Sequence, residues 1–201
     1  MVRRKIRVVS LFSGCGGFDL PFHEDPDFEI VFTVEIDEAA IKTYIKNLGW
    51  CTQGDICRIP SQAVPDCDVI IGGFPCGAFS KAGKKRGLRD KSQGQLYKEF
   101  VRIVADKRPP IFIAENVPGI LWVNKGRAIK TINRDFTKQG YKVQHKKLNS
   151  AEHGVPQTRE RVFIVGIRKD IEAEFVYPEP THGPELEPFV TVRNVLNALK
   201  S

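Results

Sequence analysis

Residues Asp68-Val-Ile-Ile-Gly-Gly-Phe-Pro-Cys-Gly-Ala-Phe-Ser80 restrict the fold more than any other stretch of this chain. Val69 to Ile71 reads as a buried strand, and Gly72-Gly73 ends it. The chain then delivers Pro75-Cys76 at the strand's carboxyl end, where open α/β sheets gather their ligands. A loop rich in cations follows: Lys81, Lys84, Lys85, Arg86, Arg89 and Lys91. A free thiol has a pKa of about 8.5, and neighbouring cations lower it. Cys76 is therefore placed as a thiolate nucleophile would be. Taken alone it also fits an inert buried thiol, so the other segments decide.

The same strand-then-glycine arrangement opens the chain. Ile6 to Phe12 is apolar and runs into Ser13-Gly14-Cys15-Gly16-Gly17-Phe18, the start of a nucleotide-binding α/β unit. Gly14 and Gly16 fit the first two glycines of the dinucleotide fingerprint, but Asp19 stands where the third belongs. An acid there suits a pyrophosphate poorly and a zwitterionic ligand, such as the amino-acid end of S-adenosylmethionine, better. Pro21 limits the next helix to a single short one before Glu24-Asp25-Pro26-Asp27.

Ile30 to Val34 reads as the second strand, with Glu35 placed to accept ribose hydroxyls. Asp37 caps a helix over Glu38 to Leu48, whose apolar residues keep helical spacing. A short third strand leads to Gly54-Asp55-Ile56, where Asp55 can accept from an exocyclic amine and Ile56 can pack on a base. Ile111 to Ala114 is the next buried strand and brings Glu115-Asn116-Val117 to the same sheet edge as Cys76. There burial can raise a carboxylate's pKa and let it donate to a bound base; a helix cap is the plain alternative. Helix Lys125 to Gln139 stops at Gly140, and Tyr141 to Leu148 alternates as an antiparallel or edge strand. Gln157-Thr-Arg-Glu-Arg161 enters the strand Val162 to Ile167, with Arg159 and Arg161 on one side as a pair for an oxyanion or carbonyl. His153 and His182 read as loop residues.

Composition narrows the partners. A net charge of +7 and a pI near 9.2 favour a polyanion, nucleic acid first. No apolar run approaches the ~18 residues of a membrane span, and the basic start lacks the apolar core of a signal peptide. Five cysteines without paired spacing give no zinc site and suggest free thiols in a reducing compartment. The expected location is cytoplasmic, at the nucleoid if the source is prokaryotic. Residues 1–170 read as one α/β domain, 171–190 as a Pro-rich linker, and 191–201 as a helix capped by Thr191 with an apolar stripe of Val192, Val195, Leu196 and Leu199.

In order along the chain these segments resemble the cytosine-5 DNA methyltransferase family. The glycine loop looks like its first cofactor motif, and Val34-Glu35-Ile36-Asp37 and Gly54-Asp55-Ile56 look like the second and third. Gly73-Phe74-Pro75-Cys76, Glu115-Asn116-Val117 and Gln157 to Arg161 look like its nucleophile, Glu-Asn-Val and Gln-x-Arg-x-Arg motifs. The resemblance implies a Rossmann-like, mostly parallel sheet with helices on both faces and an antiparallel edge. It implies S-adenosylmethionine as cofactor, touched by Phe12, Gly14, Cys15, Gly16, Gly17, Glu35, Ile36, Asp55, Ile56, Pro75 and Leu96. Cys76 would attack carbon 6 of a flipped cytosine in double-stranded DNA, Glu115 would bond the ring nitrogen and amine, and Arg161 would hold the carbonyl with Arg159 in support. The loop from Ser80 through Lys81, Lys84, Lys85, Arg86 and Arg89 would close over phosphates.

Two departures stand out. Gly77 follows Cys76 where the family has glutamine, and no target-recognition region or final Asn-containing cofactor motif can follow Leu199. A split enzyme whose recognition half is a second polypeptide is the expectation; a truncation gives the same ending. A binding-only module and an RNA methyltransferase are the other functions this reading admits.

Overall fold

The computed structural model describes residues 4–75 and 96–198. Cys76, Gly77, Ser80, Lys81, Lys84, Lys85, Arg86 and Arg89 lie outside them, as does Leu199. The described strands are β1 (Ile6–Leu11), β2 (Phe28–Glu35), β3 (Thr52–Gln53), β4 (Val69–Gly72), β5 (Ile111–Asn116), β6 (Tyr141–Asn149) and β7 (Glu160–Arg168). They form a seven-stranded sheet of order β3-β2-β1-β4-β5-β7-β6. β1 to β5 are mutually parallel, and β7 enters antiparallel between β5 and β6. The expected α/β architecture is therefore present.

The helices are α1 (Leu20–Glu24), α2 (Glu38–Leu48), α3 (Leu96–Lys107), α4 (Arg127–Lys138) and α5 (Val192–Ala198). Alternation along the strands divides the apolar side chains between two faces. Val9, Leu11, Ile70, Phe112, Ala114 and Ile164 pack against Phe100, Ile103, Ile132 and Phe136 of α3 and α4. Val8, Val69 and Ile71 point the other way, toward Phe18, Phe22 and Phe28. A fully buried Phe or Ile contributes roughly 1.5–3 kcal/mol, so both sheet faces stay covered and both ends are free for loops.

Asp37 caps α2 by accepting from the Ala40 amide at 2.7 Å, as its position foretold. Thr191 caps α5 through the Asn194 amide. The stretch 171–190, expected to stand clear as a linker, is extended but tied down. The Tyr177 hydroxyl donates to the carbonyls of Phe163 and Gln144 at 2.9 and 3.2 Å, and the amides of Thr181 and His182 donate to the Glu152 carbonyl. Nothing in the local Pro-rich composition signals these anchors, because their partners lie on β6, β7 and the turn between them. No helix among the described residues is long and apolar enough to cross a membrane.

Candidate functional site

Strand order brings the ends of β1, β4 and β5 together. Val9↔Ile70 and Ile70↔Phe112 are in register, so the loops after Leu11 and Gly72 emerge beside Glu115 and Asn116. Alternation then sends those two side chains to opposite faces. Asn116 is buried; Glu115 faces a cleft.

That cleft, about 720 Å³, is walled by Phe12, Gly17, Phe18, Gly73, Glu115, Arg159, Arg161 and Phe163, among others. Arg161 Nε approaches Glu115 Oε1 at 2.5 Å, and both side chains are about three-quarters shielded from solvent. Arg159 is exposed at the cleft's mouth. Glu115 from β5 and Arg159 and Arg161 from the lead into β7 thus line one cleft, and Arg161 pairs with Glu115. A carboxylate beside a guanidinium offers both an acceptor and donors to one planar polar ligand. Gly73 leaves room here: a Cβ on it would lie 3.2 Å from Glu115 Oε2, a tight contact that the carboxylate would have to yield to.

His153, read as a loop residue, also lies on this wall, with its Nε2 buried and lacking a hydrogen-bond partner among the described residues. The sequence carries no periodic signal for it, since the short 3-10 turn Ser150–His153 places it through the Glu152 carbonyl contacts described above.

A second cavity, about 310 Å³, adjoins the first and shares Phe12 and Gly73 with it. Gly14, Glu35, Ile36, Asp55, Ile56, Pro75 and Leu96 complete its wall. Carboxylates beside Ile36, Ile56 and Leu96 suit a nucleoside: ribose hydroxyls or an amine donate to the acids, and the base lies between apolar side chains. Glu35 is already engaged. Its carboxylate accepts from the amides of Gly14, Ile36 and Asp37 at 2.9, 2.7 and 2.9 Å, which clasps the glycine loop to the end of β2. Phe12 sits at φ 58, a left-handed conformation uncommon outside glycine and often found at functional sites.

Three expected cofactor positions are placed elsewhere. Gly16, at φ 88, packs on α2, where a Cβ would lie 2.4 Å from Leu48 Cδ1. Gly17 lines the larger cleft, and Cys15 is exposed and not among the described residues walling either cavity.

Asp19 needs a larger correction. It does not face a ligand: it is fully buried and accepts from the hydroxyls of Ser10 and Tyr44, each at 2.8 Å. Together with Gly16 on α2, this network bolts the glycine loop to the sheet from below. Burial raises the Asp19 carboxyl above its ordinary 3.8, outweighing the two hydroxyl donors that lower it. The folded state then keeps a proton that the unfolded chain has released above about pH 3.9. Stability is lost as pH rises from there through the folded-state value. Asp19→Asn is expected to flatten that acid-side slope without loss at neutral pH, as read from urea midpoints across the acid range.

Asn116 was legible only as part of a motif, and its task is visible only in three dimensions. Its Nδ2 donates to the Phe74 carbonyl at 3.0 Å, and its Oδ1 accepts from the Val117 amide. Parallel pairing of β4 and β5 ends at Gly72↔Ala114, so this side chain continues the ladder past the last backbone pair. It anchors the carbonyl two residues ahead of Cys76. Asn116→Asp is expected to destabilise by roughly 1–3 kcal/mol, because the lost donor leaves a buried carbonyl unpaired; a lower urea midpoint with an unchanged m-value would show it.

Three of the described thiols are disfavoured as thiolates. Burial pushes Cys67 up to about 12 and also raises Cys51 and Cys57.

A family model described as C-5 cytosine-specific DNA methylase matches residues 6–201. The Type II methyltransferase M.NgoFVII of Neisseria gonorrhoeae is 46% identical over 200 residues, spanning 96% of this chain and 53% of that protein. M.AquIA of Picosynechococcus is 36% identical, spanning 96% of this chain and 88% of that protein. Among solved structures, a putative DNA modification methyltransferase encoded within an E. coli prophage superposes with a TM-score of 0.77 at 29% identity, over 96% of this chain and 54% of that one. The chain thus spans about half the length of most of the curated relatives compared here.

Proposed function

This chain belongs to the C-5 cytosine-specific DNA methylase family, and from that premise we propose that it methylates carbon 5 of a cytosine flipped out of duplex DNA. One observation carries the reading: the Glu115–Arg161 pair walls a cleft that opens, across Phe12 and Gly73, onto a nucleoside-shaped cavity. S-adenosylmethionine, held in that second cavity, supplies an electrophilic methyl group. Ile36, Ile56 and Leu96 take its base, while Glu35 and Asp55 offer acceptors for its hydroxyls and amine.

In the larger cleft the cytosine would meet the Glu115–Arg161 pair, with Cys76 as the nucleophile. The Cys76 thiolate would add to carbon 6 and the ring electrons would move to carbon 5, which would take the methyl group as its bond to the donor's sulfonium sulfur breaks and leaves a neutral thioether. Glu115 bonds ring nitrogen 3 and the exocyclic amine, stabilising the charge that builds there as sulfur attacks. Arg161 donates to the ring carbonyl, and Arg159 stands at the entrance. Loss of the carbon 5 proton returns its electron pair to the ring and breaks the sulfur–carbon bond, freeing the thiolate. Extruding the base costs a few kcal/mol, which the cationic residues after Ser80 help offset by holding phosphates.

Target recognition falls to a further segment or a second polypeptide. Support comes from the half-length match to most relatives, from the 88% match to M.AquIA, and from the exposed Val192, Val195 and Leu196 of α5. The setting is a cytoplasmic one, acting on chromosomal DNA.

Trapping tests the reading. The chain, with and without a recognition partner, is incubated with cofactor and duplex containing 5-fluorocytosine. A covalent adduct that Cys76→Ser abolishes is the expected result; no adduct under any pairing would leave a binding module. An adduct with RNA alone would move the substrate.

A further inference from the structure

A second feature of the same sheet edge has no part in that chemistry. Past Asn116 the chain makes a 3-10 turn, Pro118–Leu121, whose Ile120 is buried, and then a tight turn into α4. Asn124, Lys125 and Gly126 follow one another at φ 51, 57 and 77. One glycine commonly serves for such a turn; two side-chain-bearing residues held left-handed are strained. The turn holds Trp122 outward, 63% exposed, although indole is among the costliest side chains to leave in water.

Cations follow that indole along the chain. Lys125, Arg127 and Lys130 are exposed, and Arg127, Lys130, Arg134 and Lys138 recur at helical spacing on the side of α4 away from its buried Ile129, Ile132 and Phe136. Asp135 is the only carboxylate on this helix, and Arg134 bonds it. No carboxylate among the described residues pairs with Arg127 or Lys130. Arg127 to Lys138 spans about 16 Å at 1.5 Å per residue. That is the axial rise of roughly five nucleotides of one strand at ~3.4 Å each.

We infer that Trp122, Lys125, Arg127 and Lys130 form an outlying contact for the duplex arm beside the target cytosine. The cations meet phosphates, and the indole packs on the exposed sugar-base edge next to them. This surface rests on the DNA reading above but takes no part in catalysis. It lies on the rim where β5 ends, and α4 carries the cationic stripe away from that rim over the α3–α4 face of the sheet.

The chain has two tryptophans, Trp50 and Trp122, so a Trp50→Phe background makes Trp122 the sole indole reporter. The full chain is titrated with a mixed-sequence duplex while Trp122 emission and duplex anisotropy are followed together. Binding should quench or shift the emission. Arg127→Glu with Lys130→Glu, both on exposed helix surface, should lower the slope of log K against log salt by about two, at ~0.9 per phosphate contact, with the thermal midpoint unchanged. A duplex that binds with unaltered emission and an unaltered salt slope overturns the inference and leaves the DNA reading standing. A chain that binds no duplex overturns both. Quenching by polyglutamate equal to that by duplex overturns the DNA assignment in favour of an acidic polypeptide.

Discussion

Glu115→Gln is expected to slow methyl transfer by roughly 10²–10³-fold, the usual cost of removing one preorganised group that meets developing charge. Glutamine keeps the shape, the carbonyl oxygen and a donor, but its amide cannot give up a proton to the ring nitrogen as a carboxylic acid can. The effect should fall on the chemical step. Single-turnover transfer and 5-fluorocytosine adduct formation should drop together, while cofactor affinity holds within about twofold, because Glu115 walls the larger cleft and not the 310 Å³ cavity. Stability should move by no more than about 1 kcal/mol, since the partnership with Arg161 keeps a quarter of each side chain in water. A large loss of cofactor binding in this variant would mean that the two cavities have been assigned the wrong ligands.

Gly72→Ala is expected to cost about 3 kcal/mol, the upper part of the range for forcing atoms into a packed core. A Cβ there would lie 2.1 Å from the Leu11 carbonyl oxygen and 3.1 Å from Phe100 Cε2. The first is backbone of the adjacent strand, at the register pair Leu11↔Gly72, and cannot rotate away. For a chain of this length the thermal midpoint should fall by roughly 6–12 °C. Gly17→Ala is the control, because nothing lies within 4 Å of its added carbon. Equal melting of the two variants would show that β1 and β4 separate more readily than their register implies.

Local patterns revealed most of the sheet. Val69 to Ile71 and Ile111 to Ala114 are uninterrupted apolar runs and Ile6 to Phe12 is apolar but for Arg7 and Ser10; each is a strand within a residue or two of the expected bounds. Helix α2 matches because Asp37 and its apolar spacing are both local signals. What the sequence could not show depends on partners far along the chain. Asp19 looked like a ligand contact, since nothing nearby reveals that Tyr44 lies beneath it. Glu35 reads as an acceptor for a ligand, and the three backbone amides that also bond it come from residues its own strand does not reveal. Tyr177 sat in a Pro-rich stretch that reads as linker, and its two carbonyl partners are on strands that composition does not connect to it. For the candidate site, the motifs single out Glu115 and Arg161, but their ion pair is visible only in three dimensions. The split of Glu115 and Asn116 to opposite faces follows from strand alternation, but the bond to Phe74 does not.

Phe12 and Gly73 are party walls: each belongs to both chambers. A single molecule bearing an adenosine-like end and a pyrimidine-like end, joined by a tether short enough to cross that wall, would occupy both at once. Its second end would bind at the high effective concentration that a short linker imposes. Such bivalent ligands should therefore inhibit far more strongly than either half, and a side chain placed at position 73, which borders both chambers, should weaken the joined compound most.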